Sequence, residues 1–152
     1  MTTATTTAAE PRWFFSNLAR VLVSNDELGI VEVTGTRGDM PPLHVHHLED
    51  ETFVVLEGEL GVHTATGSVS LRAGEALVAP KGVPHVYRVE SETARWLGVS
   101  TPGGFAQFVL AASEPAEYDG LPPAGRETDP APVVAIADAH GIEILGPPGT
   151  MP

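Results

Sequence analysis

The feature that most constrains this chain is its punctuation. Glycine and proline take 30 of the 152 positions (16 + 14), and they fall between short apolar runs instead of gathering in one linker. Such spacing leaves little room for long helices and favours short strands joined by tight turns. The runs are Arg20–Ser24, Gly29–Thr34, Thr52–Glu57, Leu60–Thr64, Ser68–Arg72, Glu75–Ala79, His85–Val89 and Ala94–Ser100; they are rich in Val and Leu, and several alternate apolar with polar residues. In Ser68–Arg72 the alternation predicts Val69 and Leu71 facing inward and Ser70 outward. Eight such runs, with Gly58, Gly67, Gly74 and Gly82 at the turns, predict an all-β fold, a small β-barrel or jelly roll.

Two short helices are expected C-terminal to the strand-rich block. Gly103–Ala112 sets Phe105, Phe108, Val109 and Ala112 on one face. A second helix starts from Asp129 as N-cap with Pro130 at its first position, carries Val133, Val134, Ile136 and Ala137, and stops at Gly141. Between them Glu114–Pro130 reads as a surface connection, and Ile142–Leu145 reads as a short strand. The expected organisation is a disordered tail over 1–11, a strand domain with its following helix over 12–112, and a C-terminal extension over 113–152 packed on it. A chain of this length builds one core.

Charge narrows the partners. Twenty acidic residues against eight basic ones give a net charge of −12, which argues against phosphate backbones and anionic membrane surfaces. The opening MTTATTTAAEP lacks the basic start and apolar run of a secretory signal, and the expected location is the cytoplasm. With no cysteine, a disulfide scaffold, a thiolate metal site and a Cys nucleophile are excluded. Any metal has to be held by nitrogen and oxygen.

Six histidines are present, at 44, 46, 47, 63, 85 and 140. In PPLHVHHLEDETF, His44 and His46 are two apart, so on a strand both imidazoles project from the same side. Glu51 opens the next run from a position able to bend back toward them, and His85 opens another strand after the turn PKGVP. Three imidazoles and one carboxylate suit a divalent first-row metal with positions left open. A lone histidine on an apolar strand is more often structural than a ligand. By that standard His47 reads as solvent-facing, His63 as structural or surface, and His140 as a complement to the dipole of the helix ending at Gly141. Glu49 and Asp50 read as a solvated acidic turn, with one of them able to sit over a pocket mouth. Phe53 reads as core before substrate contact, and Arg72, Lys81, Arg88 and Arg95 as facing water. Trp13, Phe14 and Phe15 form either a lid on the mouth or an interface; the interface is favoured, with a homodimer as its consequence.

What sets the four metal candidates apart is their place in two spaced motifs. Gly38, five residues, His44-x-His46, four residues, Glu51, six residues, Gly58 forms the first; Gly74, five residues, Pro80-x-Gly82, two residues, His85, three residues, Val89 forms the second. Both resemble the motifs of the cupin superfamily, with Val89 where the family commonly has Asn. The resemblance implies a β-barrel with one divalent transition metal ion (Fe, Mn, Ni, Co, Cu or Zn) held inside by His44, His46, Glu51 and His85. Together with WFFSNLARVLVS near the start and GIEILGPPG near the end, it is similar to single-domain cupins described as quercetin-dioxygenase-like. In the chemistry so implied the metal binds an ionised substrate hydroxyl, Glu51 alternates between ligand and proton acceptor as the catalytic residue, and O2 attacks a small aromatic or flavonol- or polyketide-like substrate. Two other readings stay open. The same metal could act without O2 as a Lewis acid for isomerisation, cyclisation or hydrolysis, or the chain could be a non-enzymatic binding cupin. Against a nucleic-acid-binding regulator, the sequence has no helix-turn-helix pattern and no basic patch.

Overall fold

Residues 9–126 and 128–152 are described in the structure, a computed structural model; the expected tail over 1–11 lies outside them as far as residue 8. The alternating runs become strands β1 (Arg12–Phe14), β2 (Asn17–Ser24), β3 (Gly29–Thr36), β4 (Pro42–His46), β5 (Asp50–Glu57), β6 (Glu59–Thr64), β7 (Gly67–Arg72), β8 (Ala76–Ala79), β9 (His85–Val89) and β10 (Thr93–Thr101). Helix α1 (Gly104–Ala112), β11 (Glu114–Pro115), α2 (Pro130–Ala139) and β12 (Ile142–Pro148) follow.

The strands form two antiparallel sheets, β11-β1-β2-β3-β10-β5-β8 and β12-β4-β9-β6-β7. The expected all-β jelly roll with two short helices is thus present, but the sheets are not closed into a continuous barrel. Period-two alternation decides what lies between them. On β3, Val31 and Val33 are buried while Ile30, Glu32 and Thr34 are only half-buried. With Phe53 and Val55 of β5, Leu60 and Val62 of β6, Val89 of β9 and Trp96 of β10 they make the core, each large side chain contributing about 1.5–3 kcal/mol on burial. Alternation fails at Val69, which is 44% exposed where an inward position is expected. β7 is the free edge of the smaller sheet, and of its residues only Leu71, opposite Leu60, reaches the core.

Two motif glycines are needed where they stand. Gly58 has φ +80°, and the Thr93 carbonyl and Ser91 Oγ occupy the place of a Cβ. Gly82, φ +79°, turns the chain after Pro80 so that its N–H donates to the His46 carbonyl at 2.8 Å, tying the second motif to the first.

Asp129 caps α2 as expected, its Oδ1 accepting Ala131 N–H at 3.0 Å, and His140 Nδ1 donates to the Ile136 carbonyl at 2.7 Å. Both helices pack together, α1 also against β2 and β3. The segment 114–130 is more than a surface connection. Its β11 pairs with β1, the Gly120 carbonyl accepts the Trp13 indole N–H at 2.9 Å, Tyr118 stands edge-on to Trp13 at 5.1 Å and the Arg126 guanidinium lies over the indole at 5.4 Å. Trp13 and Phe14 are therefore already buried within one chain, so their burial needs no second copy. No helix among the described residues is long and apolar enough to cross a membrane.

Candidate metal centre

β4 and β9 pair with His44 opposite His85, and alternation brings His46 to the same side as His44. Glu51 comes from β5 in the facing sheet. One ligand atom from each of His44, His46, Glu51 and His85 lies within 4.8 Å of all the others. His46, Glu51 and His85 are buried, while His44 is half-buried and lines a cavity.

Hydrogen bonds on the far side of each ring determine which nitrogen faces inward. His44 Nδ1 donates to the Pro42 carbonyl at 2.7 Å and His85 Nδ1 to the Val83 carbonyl at 3.2 Å. A carbonyl can only accept, so both protons sit on Nδ1 and Nε2 turns inward as a potential ligand. His46 Nδ1 is matched by Glu49 Oε1 at 3.0 Å. Glu51 Oε2 then stands 3.1 Å from His46 Nε2 and 3.0 Å from His85 Nε2. One carboxylate oxygen faces two imidazole nitrogens whose partner nitrogens already hold protons, so a cation has to lie among them, whether a proton or a metal ion. His46 Nε2 is buried with no hydrogen-bond partner among the described residues. An orphaned buried nitrogen at the meeting point of two other imidazoles and a carboxylate fits a divalent first-row metal.

Protonation follows the same geometry. Burial, reinforced by His85 and His46, pushes His44 down to about 3. Burial also presses on His46, but Glu51 and then Glu49 outweigh it and raise His46 to about 9. Burial works against the charge of Glu51, yet His46 and His85 hold it well below the usual carboxylate range.

Glu49 corrects the reading of a solvated turn. It is 2% exposed, and besides meeting His46 it accepts the Phe105 N–H on Oε2 at 2.9 Å. Phe105 is the second residue of α1, whose N-cap residue Gly103 supplies no side-chain acceptor, so a carboxylate three residues after a candidate ligand caps a distant helix. The sequence carried a signal for this in the spacing His46-x-x-Glu49 and in a helix starting on glycine. Asp50 stays near the surface, accepting Lys81 N–H at 2.9 Å. His47 is exposed, 3.7 Å from Glu143. His63 lies on β6 with Nδ1 2.6 Å from Ser68 Oγ, and neither it nor His140 joins the cluster.

The cluster opens on a cavity walled by Phe14, Phe15, Phe53, Trp96, Phe105 and Phe108, with Tyr87 adding a hydroxyl-bearing ring. Phe14 and Phe15 thus occupy the lid position that was the second reading of the N-terminal aromatics. Phe105 stands edge-on to His46 at 5.6 Å and Phe53 to His85 at 5.8 Å. The cavity is narrow, about 40 Å³ for the centre of a water molecule, against roughly 300–1,000 Å³ in common ligand pockets.

Comparison with known proteins agrees with this geometry. Residues 31–100 match the family model described as the cupin domain. Over 88 residues the chain is 33% identical to quercetin 2,3-dioxygenase of Bacillus subtilis (strain 168), a match covering 58% of this chain and 26% of that protein, so the chain spans about a quarter of the curated relative. Among solved structures it is similar to the protein TT1209 from Thermus thermophilus, with a TM-score of 0.54 and 28% identity over 57% of this chain and 84% of that one. It is also similar to an RmlC-like cupin from Shewanella frigidimarina NCIMB 400, with a TM-score of 0.56 and 21% identity over 61% of this chain and 84% of that one; this second likeness concerns the fold alone. Family match, jelly-roll neighbours and the two spaced motifs converge on the same stretch, and residues 31–100 are similar to the cupin domain.

Proposed function

We propose that this chain is a metal-dependent cupin oxidoreductase of the dioxygenase type, taking a small aromatic substrate with an ionisable hydroxyl and using O2. The observation that carries the reading is the convergence of three imidazole Nε2 atoms and one carboxylate at the wall of an otherwise aromatic cavity. The similarity to a quercetin 2,3-dioxygenase supports it.

His44, His46, Glu51 and His85 would hold the ion. When bound, a divalent transition metal supplies Lewis acidity toward the substrate hydroxyl and a redox path to O2. The chain's own groups do the rest. The Pro42 and Val83 carbonyls and Glu49 fix the three rings by their Nδ1 atoms, so the donor set is oriented before any ligand enters. Glu51 Oε2, which faces the Nε2 atoms of His46 and His85, would be the acceptor for the hydroxyl proton. Phe53 and Phe105, edge-on to two of those rings, keep water from the reacting face and lie where a flat substrate would stack.

The test is elemental analysis of protein purified without chelator or His tag, paired with O2 uptake on catechols and small flavonols. Near-stoichiometric Fe, Mn, Ni, Co or Cu with substrate-dependent O2 loss is the expected result. Zinc or no metal, with no O2 loss on any member of the panel after metal loading, would overturn it.

A further inference from the structure

Apart from the candidate ligands, the cavity has one hydroxyl-bearing wall among the described residues, Tyr87. It lies two residues beyond His85 on β9, edge-on to Trp96 at 4.9 Å and to Phe53 at 6.2 Å. Although it packs on the core, it is only half-buried and lines the cavity. Behind it runs a short polar chain in an otherwise apolar interior. The phenol is 2.9 Å from Asn17 Oδ1, and the buried Asn17 places Nδ2 3.2 Å from Asp39 Oδ2. Asp39 Oδ2 also accepts Thr36 N–H at 2.7 Å.

The direction of these bonds is set from the surface inward. A carboxylate oxygen accepts, so Asn17 turns its NH2 toward Asp39 and its carbonyl oxygen toward Tyr87. That oxygen accepts, so the phenol donates its only proton away from the cavity. What the hydroxyl has left to offer a ligand is oxygen lone pairs. The backbone makes room for the arrangement. A Cβ at Gly35 would stand 2.8 Å from Asn17 Nδ2 and 3.0 Å from Asp39 Oδ2, so a side chain there would displace the relay.

We propose that Tyr87 is a specificity residue: held by Asn17 and Asp39 as a hydrogen-bond acceptor only, it selects substrates that present a hydroxyl or N–H donor on the ring edge away from the metal, and disfavours those that present a carbonyl there. This rests on the reading of the cavity as a site for small hydroxylated aromatics. The selection is moderate, because the phenol keeps its bond to Asn17 whether or not a ligand donor arrives. One added hydrogen bond is worth about three- to tenfold in affinity, whereas a site left with an unpaired polar group discriminates far more steeply.

The experiment uses Zn(II)-loaded protein, so that no oxygen chemistry intervenes, and three catechols differing at one position: 4-methylcatechol, 3,4-dihydroxybenzyl alcohol and 3,4-dihydroxybenzaldehyde. Calorimetric affinities of the wild type are expected to rank alcohol, then methyl, then aldehyde, with about three- to tenfold between the first two. In Tyr87→Phe the alcohol and methyl compounds should bind within about twofold of each other. Asp39→Ala removes the one oxygen that accepts from both Thr36 N–H and Asn17 Nδ2, so the Asn17 amide is free to turn, the phenol proton can point into the cavity and the gap between alcohol and aldehyde should close. A merely structural role for either residue would weaken all three ligands alike. Equal binding of alcohol and methyl compounds by the wild type, or an undiminished preference in Tyr87→Phe, overturns the assignment while leaving the catechol reading in place. Failure of all three to bind the metal-loaded wild type overturns both.

Discussion

Replacing Glu49 by Gln is the sharpest probe of how the centre is held. Both oxygens of Glu49 are committed inside the protein, one to His46 Nδ1 and one to the Phe105 N–H. Glutamine has a single acceptor oxygen, so its NH2 must face one of these two donors. Leaving one buried N–H unpaired costs about 1–3 kcal/mol, and removing a carboxylate from the start of α1 costs roughly a further 0.3–1 kcal/mol. For a chain of this size each kcal/mol is worth roughly 2–4 °C in Tm, so Glu49→Gln should melt about 3–15 °C below the wild type when both are metal-free. Because the lost partner also orients His46, metal affinity in a chelator competition should fall roughly 10- to 100-fold. Asp50→Asn is the control, since its carboxylate reaches only the Lys81 N–H, and it should leave metal affinity within about twofold. A Glu49→Gln protein that melts within about 1 °C of wild type and holds metal equally well would refute both the helix cap and the orienting bond.

Further predictions concern the ligands, pH and one turn. His85→Ala should lose most of the bound metal with the sheets intact by circular dichroism, whereas His63→Ala, outside the cluster, should retain it; equal retention in both would remove His85 from the donor set. In the metal-free protein, His46 is raised to about 9, so its stabilisation is complete below the unfolded value of 6.5 and fades as pH climbs toward 9. His44 is lowered to about 3, so the folded chain refuses a proton the unfolded chain accepts, and stability also drops as pH falls below 6.5. Denaturant midpoints should therefore be highest near pH 6.5, and a midpoint that rises steadily to pH 9 contradicts the His46 assignment. Gly58 and Gly74 share a left-handed φ, +80° and +88°, but only Gly58 is crowded. Gly58→Ala should then lower the denaturant midpoint well beyond the loss of about 1 kcal/mol or more that strain alone gives Gly74→Ala, and equal losses would show that crowding adds nothing.

The parts of this molecule that could be read in advance are those written locally. β9 begins and ends where its apolar run does, and Asp129-Pro130 marks the start of α2 because a cap and an N1 proline act within one turn. The two histidines of β4 come together through strand period alone, and the spacing around Glu51 and His85 singled them out. What escaped depends on contacts made across long stretches of chain. Glu49 sits in an acidic LEDE run that looks solvated until a helix more than fifty residues later, at Phe105, brings an uncapped N-terminus to it. Trp13 looks like an interface until residues 114–126 fold over it. Val69 has the right period for burial, but period cannot say that its strand ends up on an edge.

The pairing of β12 with β4 sets an order of events. Ile142 lies opposite His46 and Ile144 opposite His44, so the strand that carries two of the four candidate ligands gains its outer neighbour from residues 96 positions later (142 − 46). A ribosome delivering residues N-terminal first exposes β4 long before β12 exists, and non-local pairings of this kind are slow to form. Until β12 arrives, one side of β4 has an open row of backbone donors and acceptors. Any nascent or proteolysed chain lacking residues 142–148 would carry His44 and His46 on an unguarded edge, able to bind ions loosely and to pair with other strands.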